Sequence, residues 1–285
     1  MTERDGYLPG VPCWVDTSQP EPDAAAAFYS GLFGWEIEDL MPAGSGAKYL
    51  VARLRGGDVA AISSRADGDA APPTWNTYVW VESADQTARK VIDAGGAVMI
   101  DPFDVFDAGR MAVCTDCEGA AFSLWQAHAH RGARIVNEPG ALTFNGLKTC
   151  DPDGAKSFYG AVFGWETFDL PGGMAWTLPG YGDYLEELTP GLRARTEEFG
   201  LPGFEDVVAA INPIPDADPD PRAHWGVTFS TDDADATAER AAGLGGEVVV
   251  APFNAPFVRM TLLRDPQGAT FTASQFVPEA NGDAS

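Results

Sequence analysis

Two stretches of this 285-residue chain are closely similar: AAAAFYSGLFGWE at residues 24–36 and GAKSFYGAVFGWE at residues 154–166. Seven of their thirteen positions are identical, and both end in FGWE. Two further matches follow in the same order along the chain, and these pair residues 82–103 with 232–253 and residues 110–126 with 259–275. Matches that recur in one order indicate a duplicated unit.

Each of the two opening stretches predicts an amphipathic helix. In the second copy, Asp151 is placed to cap the helix, Pro152 to occupy its first turn and Gly164 to end it. Apolar side chains recur at helical spacing and form one stripe, which predicts core residues. Short alternating runs before and after each helix predict strands. Each copy therefore reads as two βαβββ units, and the chain as four.

The composition excludes several classes of partner. The chain carries 42 acidic and 18 basic residues, a formal net charge of −24. A surface this negative repels phosphate backbones and anionic lipid headgroups, so we expect no nucleic-acid partner and no membrane partner. The opening residues MTERDGYLPGVP lack a basic start followed by an apolar run, and we expect a cytoplasmic location.

The FYxxxFGW helix, the DPxG turn at residues 265–268 and the double glycine after the second helix of each copy resemble the vicinal oxygen chelate superfamily. This superfamily includes glyoxalase I, bleomycin-resistance proteins and extradiol dioxygenases. More narrowly, the chain resembles two-domain glyoxalase-like proteins described as hydroxylases. The resemblance implies an α+β fold in which four βαβββ units form two tandem glyoxalase-like domains, with curved mixed sheets around cavities.

The expected domain boundaries follow the repeat. We predict a first glyoxalase-like domain at residues 8–128, a linker at 129–138 and a second domain at 139–277. The second domain contains an insertion at 186–222, because the spacing between matched segments grows from 130 to 150 residues. A disordered tail is expected at 278–285.

The resemblance also implies where a divalent metal ion would bind. Superfamily enzymes use four strand positions, which usually carry His or Gln, Glu, His and Glu. The equivalent positions of the first copy hold Trp14, Ala61, Asn76 and Ser123, and those of the second copy hold Phe144, Glu186, Gly226 and Thr272. Only Glu186 is an ordinary metal ligand. We therefore predict no metal site and no cofactor, with a divalent metal as the unsupported alternative.

Glu186 and His224 are the candidate catalytic residues. His224 lies two residues before Gly226, so both side-chain positions face one side of an extended strand. We expect Glu186 and His224 to face one cavity, as an acid–base pair or as the remnant of a metal site. A hydrogen-bonded polar pair at the cavity rim, or no contact, is the alternative.

Strand parity places mostly aromatic side chains in the two expected cavities. An aromatic cavity with few polar groups suits a flat, apolar ligand. We expect the two arginines that recur in both copies, each followed by Met, to form structural salt bridges or to bind a ligand carboxylate or enolate. The candidate ligand-binding residues are Trp14, Asn76, Tyr78, Trp80, Ser123, Trp125, Phe144, Trp176, Thr272, Arg110 and Arg259.

These features leave three functions open. The first is a metal-independent or weakly metal-dependent enzyme acting on a small aromatic or polyketide-like metabolite. The second is a non-catalytic protein that sequesters such a molecule, as bleomycin-resistance proteins do. A divalent-metal lyase or dioxygenase is the third reading, and it would need ligands that the sequence lacks. The expected partner is a small molecule, bound by a monomer with an internal pseudo-dimer or by a homodimer.

Overall fold

The structure is a computed structural model that describes residues 3–42, 44–65, 72–170, 173–198, 200–215 and 222–278. The α-helices are α1 (Pro22–Phe33), α2 (Ala84–Asp93), α3 (Pro152–Phe163), α4 (Tyr181–Leu188), α5 (Leu192–Glu198) and α6 (Ala234–Gly243). None of the helices in these ranges is long and apolar enough to cross a lipid bilayer.

The first repeat contains strands β1 (Pro12–Gln19), β2 (Glu36–Asp39), β3 (Tyr49–Leu54), β4 (Gly57–Ser64), β5 (Trp75–Trp80), β6 (Ala97–Val105), β7 (Gly109–Thr115) and β8 (Ala121–Ala127). The second repeat contains β9 (Leu142–Thr149), β10 (Glu166–Leu170), β11 (Gly173–Thr177), β12 (Val207–Pro213), β13 (His224–Ser230), β14 (Glu247–Ala255), β15 (Val258–Arg264) and β16 (Thr270–Phe276).

Each repeat builds one eight-stranded sheet. The strand order is β2-β3-β4-β1-β5-β8-β7-β6 in the first repeat and β10-β11-β12-β9-β13-β16-β15-β14 in the second. The sheets are mixed: β1 pairs in parallel with β4, and β5 with β8, while the hairpin strands pair antiparallel. The second repeat follows the same scheme. The predicted α+β fold with two tandem glyoxalase-like domains is confirmed.

The signals at the ends of α3 act as the sequence predicts. The Asp151 side chain accepts a hydrogen bond from the Gly154 amide, and Pro152 occupies the first turn. Gly164 ends the helix with φ at 74°, a left-handed conformation that glycine adopts without the steric penalty of a side chain.

The second repeat differs from the first by extra helical structure between β11 and β12. Helices α4 and α5 and a short 3-10 turn at Phe204–Asp206 precede the fourth strand of this repeat. The sequence comparison placed the extra residues after that strand. Residues 216–221, at the end of the predicted insertion, and residues 279–285 of the predicted tail lie outside the described residues. The domain boundaries stay a prediction.

The chain divides into two compact units, and each unit combines parts of both repeats. Unit 1 comprises Met1–Val15, Asn76–Arg134 and Phe144–Gly226. Unit 2 comprises Asp16–Trp75, Ile135–Thr143 and Val227–Ser285. Each unit therefore holds one βαβββ module from the first repeat and one from the second.

A buried Trp–Tyr–Asp network joins the two modules inside unit 1. Trp225 Nε1 donates to the Tyr159 hydroxyl at 2.8 Å, and this hydroxyl donates to Asp116 Oδ2 at 3.0 Å. Burial raises the pKa of Tyr159 and of Asp116. The first-repeat turn that holds Asp116 is thereby tied to helix α3 of the second repeat.

Unit 2 repeats this network with exchanged partners. Trp75 Nε1 donates to the Tyr29 hydroxyl at 3.1 Å, and Tyr29 donates to Asp265 Oδ2 at 3.0 Å. Gln19 Nε2 adds a second donor to the same carboxylate oxygen, at 2.8 Å. The FYxxxFGW tyrosine of each repeat thus serves as the polar centre of a core that contains both repeats.

Candidate functional site

Neighbouring strands β5 and β8 present aromatic side chains on one face of unit 1. Tyr78 pairs with Ser123, and Trp80 pairs with Trp125. Phe122, the residue before Ser123 on β8, packs against Phe158 of α3. Because side chains alternate along a strand, Ser123 and Trp125 face away from this helix.

Two of these rings, Tyr78 and Trp125, form a continuous row with two others, His130 and Trp14. Tyr78 contacts Trp125 with a centroid distance of 6.3 Å, and Trp125 contacts His130 at 5.7 Å. His130 in turn contacts the buried Trp14 at 4.4 Å. The Trp125 indole nitrogen donates to the His130 carbonyl at 3.0 Å, which fixes the orientation of the indole. The ring lies directly over Gly109, where a Cβ atom would come within 2.6 Å of it.

The row continues into an apolar strip on β7 and β6. Met111 pairs with Trp125, and Val113 pairs with Ser123. Phe103 and Ile100 on the next strand pair with Met111 and Val113. Both Phe103 and Ile100 are exposed. We call this surface the aromatic face; it comprises Tyr78, Trp80, Ser123, Trp125, Met111, Val113, Phe103 and Ile100.

Three further predicted ligand-binding residues of unit 1 are Trp80, at the end of β5 in the aromatic face, Asn76 and Phe144. Trp80 is half-buried, contacts the Tyr7 ring and lies under the Arg131 guanidinium at 5.6 Å. Asn76 shares the parity of Tyr78 on β5. Phe144 is half-buried on β9, in the second repeat. Whether any of them contacts a ligand stays a prediction.

Strand parity predicted that Trp176 faces away from the helix layer, and the structure places it on the opposite side of the strand. It is fully buried, and its ring contacts Tyr159 of α3 at 5.5 Å and Trp165 at 5.6 Å. The residue therefore belongs to the core beneath α3. The parity prediction is wrong because Trp176 lies on a strand of five residues, where a shift of one residue reverses the face of every side chain.

Glu186 does not lie on a strand. It lies in helix α4, and its carboxylate accepts the Gly191 amide at 2.7 Å and the Arg193 amide at 3.0 Å. These backbone hydrogen bonds, chiefly that from Arg193, lower the pKa of Glu186. The fourth strand is Val207–Pro213, so Glu186 belongs to the insertion and holds the turn between α4 and α5.

His224 is exposed at the first residue of β13. Its Nδ1 donates to the Arg222 carbonyl at 2.8 Å. Glu186 and His224 are thus each engaged by neighbours in their own segment. An acid–base pair formed by these two residues has no support from the contacts of either side chain.

The two recurrent arginines tie strands to helix N-termini. Arg110 binds the Asp85 carboxylate with two hydrogen bonds of 2.7 and 3.0 Å and also contacts Asp104. Arg259 binds Asp235 in the same way, at 2.5 and 2.8 Å. The salt-bridge alternative therefore accounts for both arginines.

Asp16 was missed by the sequence reasoning. Its carboxylate is buried, with 4% of the residue exposed, and the Tyr49 hydroxyl donates to it at 3.5 Å. Thr17, its neighbour on β1, bonds instead to the Thr74 carbonyl on the other face of the strand. The alternation of VDTSQ on a buried strand was the only sequence signal for Asp16.

Two family models match the chain. The Glyoxalase/Bleomycin resistance protein/Dioxygenase superfamily model matches residues 15–124, and a glyoxalase-like domain model matches residues 142–274. The "Putative glyoxylase CFP32" of Mycobacterium tuberculosis (strain CDC 1551 / Oshkosh) is 40% identical over 282 residues, which cover 98% of this chain and 100% of that protein. The chain belongs to the glyoxalase/bleomycin resistance protein/dioxygenase superfamily.

Relatives within the superfamily carry different names. The "Anthracycline biosynthesis protein DnrV" of Streptomyces peucetius is 33% identical over 98% of this chain and 99% of its own length. Among solved structures, the Mn(II)-bound glyoxalase from Novosphingobium aromaticivorans aligns with a TM-score of 0.59 and 16% identity, over 94% of this chain and 83% of that one. Catechol 2,3-dioxygenase aligns with a TM-score of 0.56 and 12% identity, over 97% of this chain and 96% of that one. At such identities the likeness describes the fold alone.

The residues at the superfamily's metal positions do not fit a divalent ion. Asp16 pairs with Ala61 on the fourth strand of the first repeat, and its equivalent Gly146 pairs with Ala210. The second-repeat position assigned to Glu186 is therefore occupied by Ala210. The remaining positions hold tryptophan, phenylalanine, asparagine, glycine, serine and threonine, and metal ions of this type prefer imidazole, carboxylate or thiolate. Across the described ranges, no group of three or more His, Cys, Asp or Glu residues is arranged to hold a metal ion.

Proposed function

We propose that this protein binds a flat, apolar aromatic metabolite on the aromatic face of its first repeat, without a metal ion. The observation that carries the proposal is the row of rings formed by Tyr78, Trp125, His130 and Trp14, continued by the exposed side chain of Phe103. Trp14, Tyr78 and Trp125 are buried and form the base of the site, while Phe103 and the half-buried Trp80 offer ring surface against which a planar ligand can stack.

The apolar strip beside the rings supports the same ligand class. Met111 and Val113 are half-buried, while Ile100 and Phe103 are exposed on the edge strand. A ligand that covers this strip removes apolar surface from water, which stabilises the complex by about 25 cal/mol for each Å² buried. Ser123 and Asn76 supply a hydroxyl and an amide that can hydrogen-bond to a carbonyl or phenol group of the ligand.

The net charge of the chain and the names of its relatives narrow the class of expected ligands further. The net charge of −24 disfavours anionic ligands, so a neutral or cationic aromatic molecule is expected. The names of the Streptomyces relatives refer to anthracycline biosynthesis, and anthracyclines are fused-ring aromatic polyketides. We therefore place the ligand among polyketide-like aromatic compounds.

A matched pair of substitutions tests the proposal. Phe103→Ala alters the aromatic face in unit 1, and Phe253→Ala alters the equivalent residue in unit 2, with exposures of 41% and 42% in the parent protein. With 1,8-dihydroxyanthraquinone as the probe, calorimetry should detect binding that Phe103→Ala weakens about fivefold to tenfold. Phe253→Ala should leave the affinity unchanged. Equal losses in both variants, or no binding of this probe, would overturn the proposal.

Catalysis on a bound metabolite is the second candidate function, and Asp16 is the observation that favours it. A buried carboxylate beside a tyrosine hydroxyl is a suitable general acid or base. The test incubates the protein with hydroxyanthraquinones and with methylglyoxal and follows conversion by mass spectrometry. The catalytic candidate requires conversion by the parent protein and its loss in Asp16→Asn, with the circular dichroism spectrum retained. Absence of conversion in the parent protein, or an unchanged rate in the variant, excludes it.

A further inference from the structure

Four hydroxyl side chains form a rectangular array in unit 2. Thr228 and Ser230 lie on β13, and Thr272 and Ser274 lie on the neighbouring parallel strand β16. The register pairs Thr228 with Thr272 and Ser230 with Ser274. Residues two apart on a strand are separated by about 6.6 Å and neighbouring strands by about 4.8 Å, which sets the size of the array.

All four side chains point away from the helix layer of unit 2. Phe229, between Thr228 and Ser230, and Phe271, the residue before Thr272, pack against Phe33 of α1 with centroid distances of 5.2 and 5.9 Å. Side chains alternate between the two faces of a strand, so the hydroxyl groups occupy the opposite face. We call this surface the hydroxyl face.

The four hydroxyl groups are available to a ligand. In the part of the chain that the structure describes, no side-chain hydrogen bond engages any of them. Thr228, Ser230 and Thr272 are half-buried, and Ser274 is 8% exposed. A hydroxyl group both donates and accepts hydrogen bonds, so the array can match hydroxyl groups on a ligand in either direction.

Apolar side chains flank the array on β15 and β14. Leu262 pairs with Thr272, and Met260 pairs with Ser274. Val250 and Phe253 pair with these two residues on the edge strand and are exposed. These side chains offer an apolar platform beside a polar array, as the C–H face and hydroxyl groups of a sugar ring require.

No unbalanced charge is aimed at this surface from the strands that form it. Arg259 lies at the alternate register position and binds Asp235 and Asn254. Arg264, at the end of β15, binds Glu247 at 2.5 Å, so the two charges offset each other. The array therefore suits an uncharged ligand.

We propose that the hydroxyl face of the second repeat binds an uncharged polyhydroxylated ring, such as a glycosyl group. The equivalent positions of the first repeat hold Tyr78, Trp80, Ser123 and Trp125. A flat aromatic ligand can therefore stack on rings in the aromatic face but not in the hydroxyl face. The repeats thereby bind two chemical classes on equivalent surfaces. This inference stands on the hydroxyl array and does not require the proposed function of the aromatic face.

The test uses saturation-transfer NMR with methyl α-glucopyranoside, methyl α-rhamnopyranoside and myo-inositol as probes, at up to about 50 mM because such contacts are weak. We expect binding of at least one probe. The double substitution Thr228→Val with Thr272→Val preserves side-chain shape and removes two hydroxyl groups, and it should weaken binding about tenfold or more. Ser123→Ala, which removes the aliphatic hydroxyl at the equivalent positions of the first repeat, is the matched control and should leave binding of the polyhydroxylated probes unchanged.

The outcomes separate this proposal from the one for the aromatic face. Each variant is also titrated with 1,8-dihydroxyanthraquinone, and the valine double variant should bind that probe as the parent protein does. No binding of any polyhydroxylated probe overturns the proposal, as does retention of binding by the valine double variant or an equal loss in Ser123→Ala. If the parent protein binds a polyhydroxylated probe but not 1,8-dihydroxyanthraquinone, the proposed function is contradicted and the proposal for the hydroxyl face stands.

Discussion

The aromatic face and the hydroxyl face occupy equivalent positions in two repeats of one fold. The first repeat places Tyr78, Trp80 and Trp125 where the second places Thr228, Ser230 and Ser274. The strand order is the same in both repeats, and the pairing of β5 with β8 has the same parallel register as that of β13 with β16. The comparison teaches that the duplicated fold keeps its helix-side core and varies the opposite face, where a substitution leaves the Trp–Tyr–Asp networks intact.

The largest effect on ligand affinity is expected when Trp125 of the first repeat is replaced by serine, the residue at the equivalent position of the second repeat. Trp125→Ser removes the ring that contacts both Tyr78 and His130 and should weaken anthraquinone binding about 100-fold, as for the aromatic centre of a binding surface. The conservative Trp125→Phe keeps a ring and should retain most of the affinity. Titration calorimetry measures both, and an affinity in Trp125→Ser within threefold of the parent value would contradict the comparison.

The next effect distinguishes the two networks by their stability. Tyr159→Phe leaves Trp225 Nε1 and Asp116 Oδ2 without their shared hydroxyl and should lower the free energy of unfolding by about 2 kcal/mol. Tyr29→Phe should cost less, about 1 kcal/mol, because Gln19 still donates to Asp265 Oδ2. Urea denaturation gives both values. Equal losses would show that the additional donor does not matter.

A smaller effect concerns pH. Burial raises the pKa of Asp116 above its unfolded value, so this group stabilises the fold below the unfolded pKa, and that contribution is lost as the pH rises through the folded pKa. Asp116→Asn has no proton to lose. The stability of the parent protein relative to Asp116→Asn should therefore decline from about pH 4 upward. Denaturation at a series of pH values checks the decline, with Asp153→Asn as the control on the surface. Parallel profiles for the parent protein and Asp116→Asn would be inconsistent with a raised pKa.

The smallest effect is expected at the recurrent arginines. Arg110→Gln and Arg259→Gln break salt bridges with Asp85 and Asp235 and should change the affinity for either probe by less than about twofold. Calorimetry and NMR titrations provide the measurement. A larger loss of affinity in either variant would return that arginine to the set of ligand-binding residues.

The sequence predicted most of the architecture because the repeat constrains it twice. Asp151, Pro152 and Gly164 define α3 through local backbone chemistry, which needs no tertiary information. The aromatic face could also be predicted from the sequence. Tyr78 on a six-residue strand and Ser123 and Trp125 on a seven-residue strand follow the two-residue period of strand side chains.

The errors arose where local pattern and tertiary register diverge. Glu186 was aligned across an insertion, and only the pairing of Gly146 with Ala210 identifies the true equivalent position. Trp176 lies on a five-residue strand, where a shift of one residue reverses the face. His130 follows the last strand of its repeat, and no periodic pattern could place its ring between Trp14 and Trp125.

The mixed composition of the two units has a consequence for protein synthesis. Every segment of unit 1 has been translated once Gly226 is added, whereas unit 2 pairs Asp16–Trp75 with a segment that begins only at Val227. Phe33 of α1 therefore cannot contact Phe229 and Phe271 until these later residues have left the ribosome. Contacts of such long sequence separation form slowly, and the unpaired apolar surface is open to aggregation in the interval. The order of translation thus makes the first module of the chain among the last to acquire its complete core.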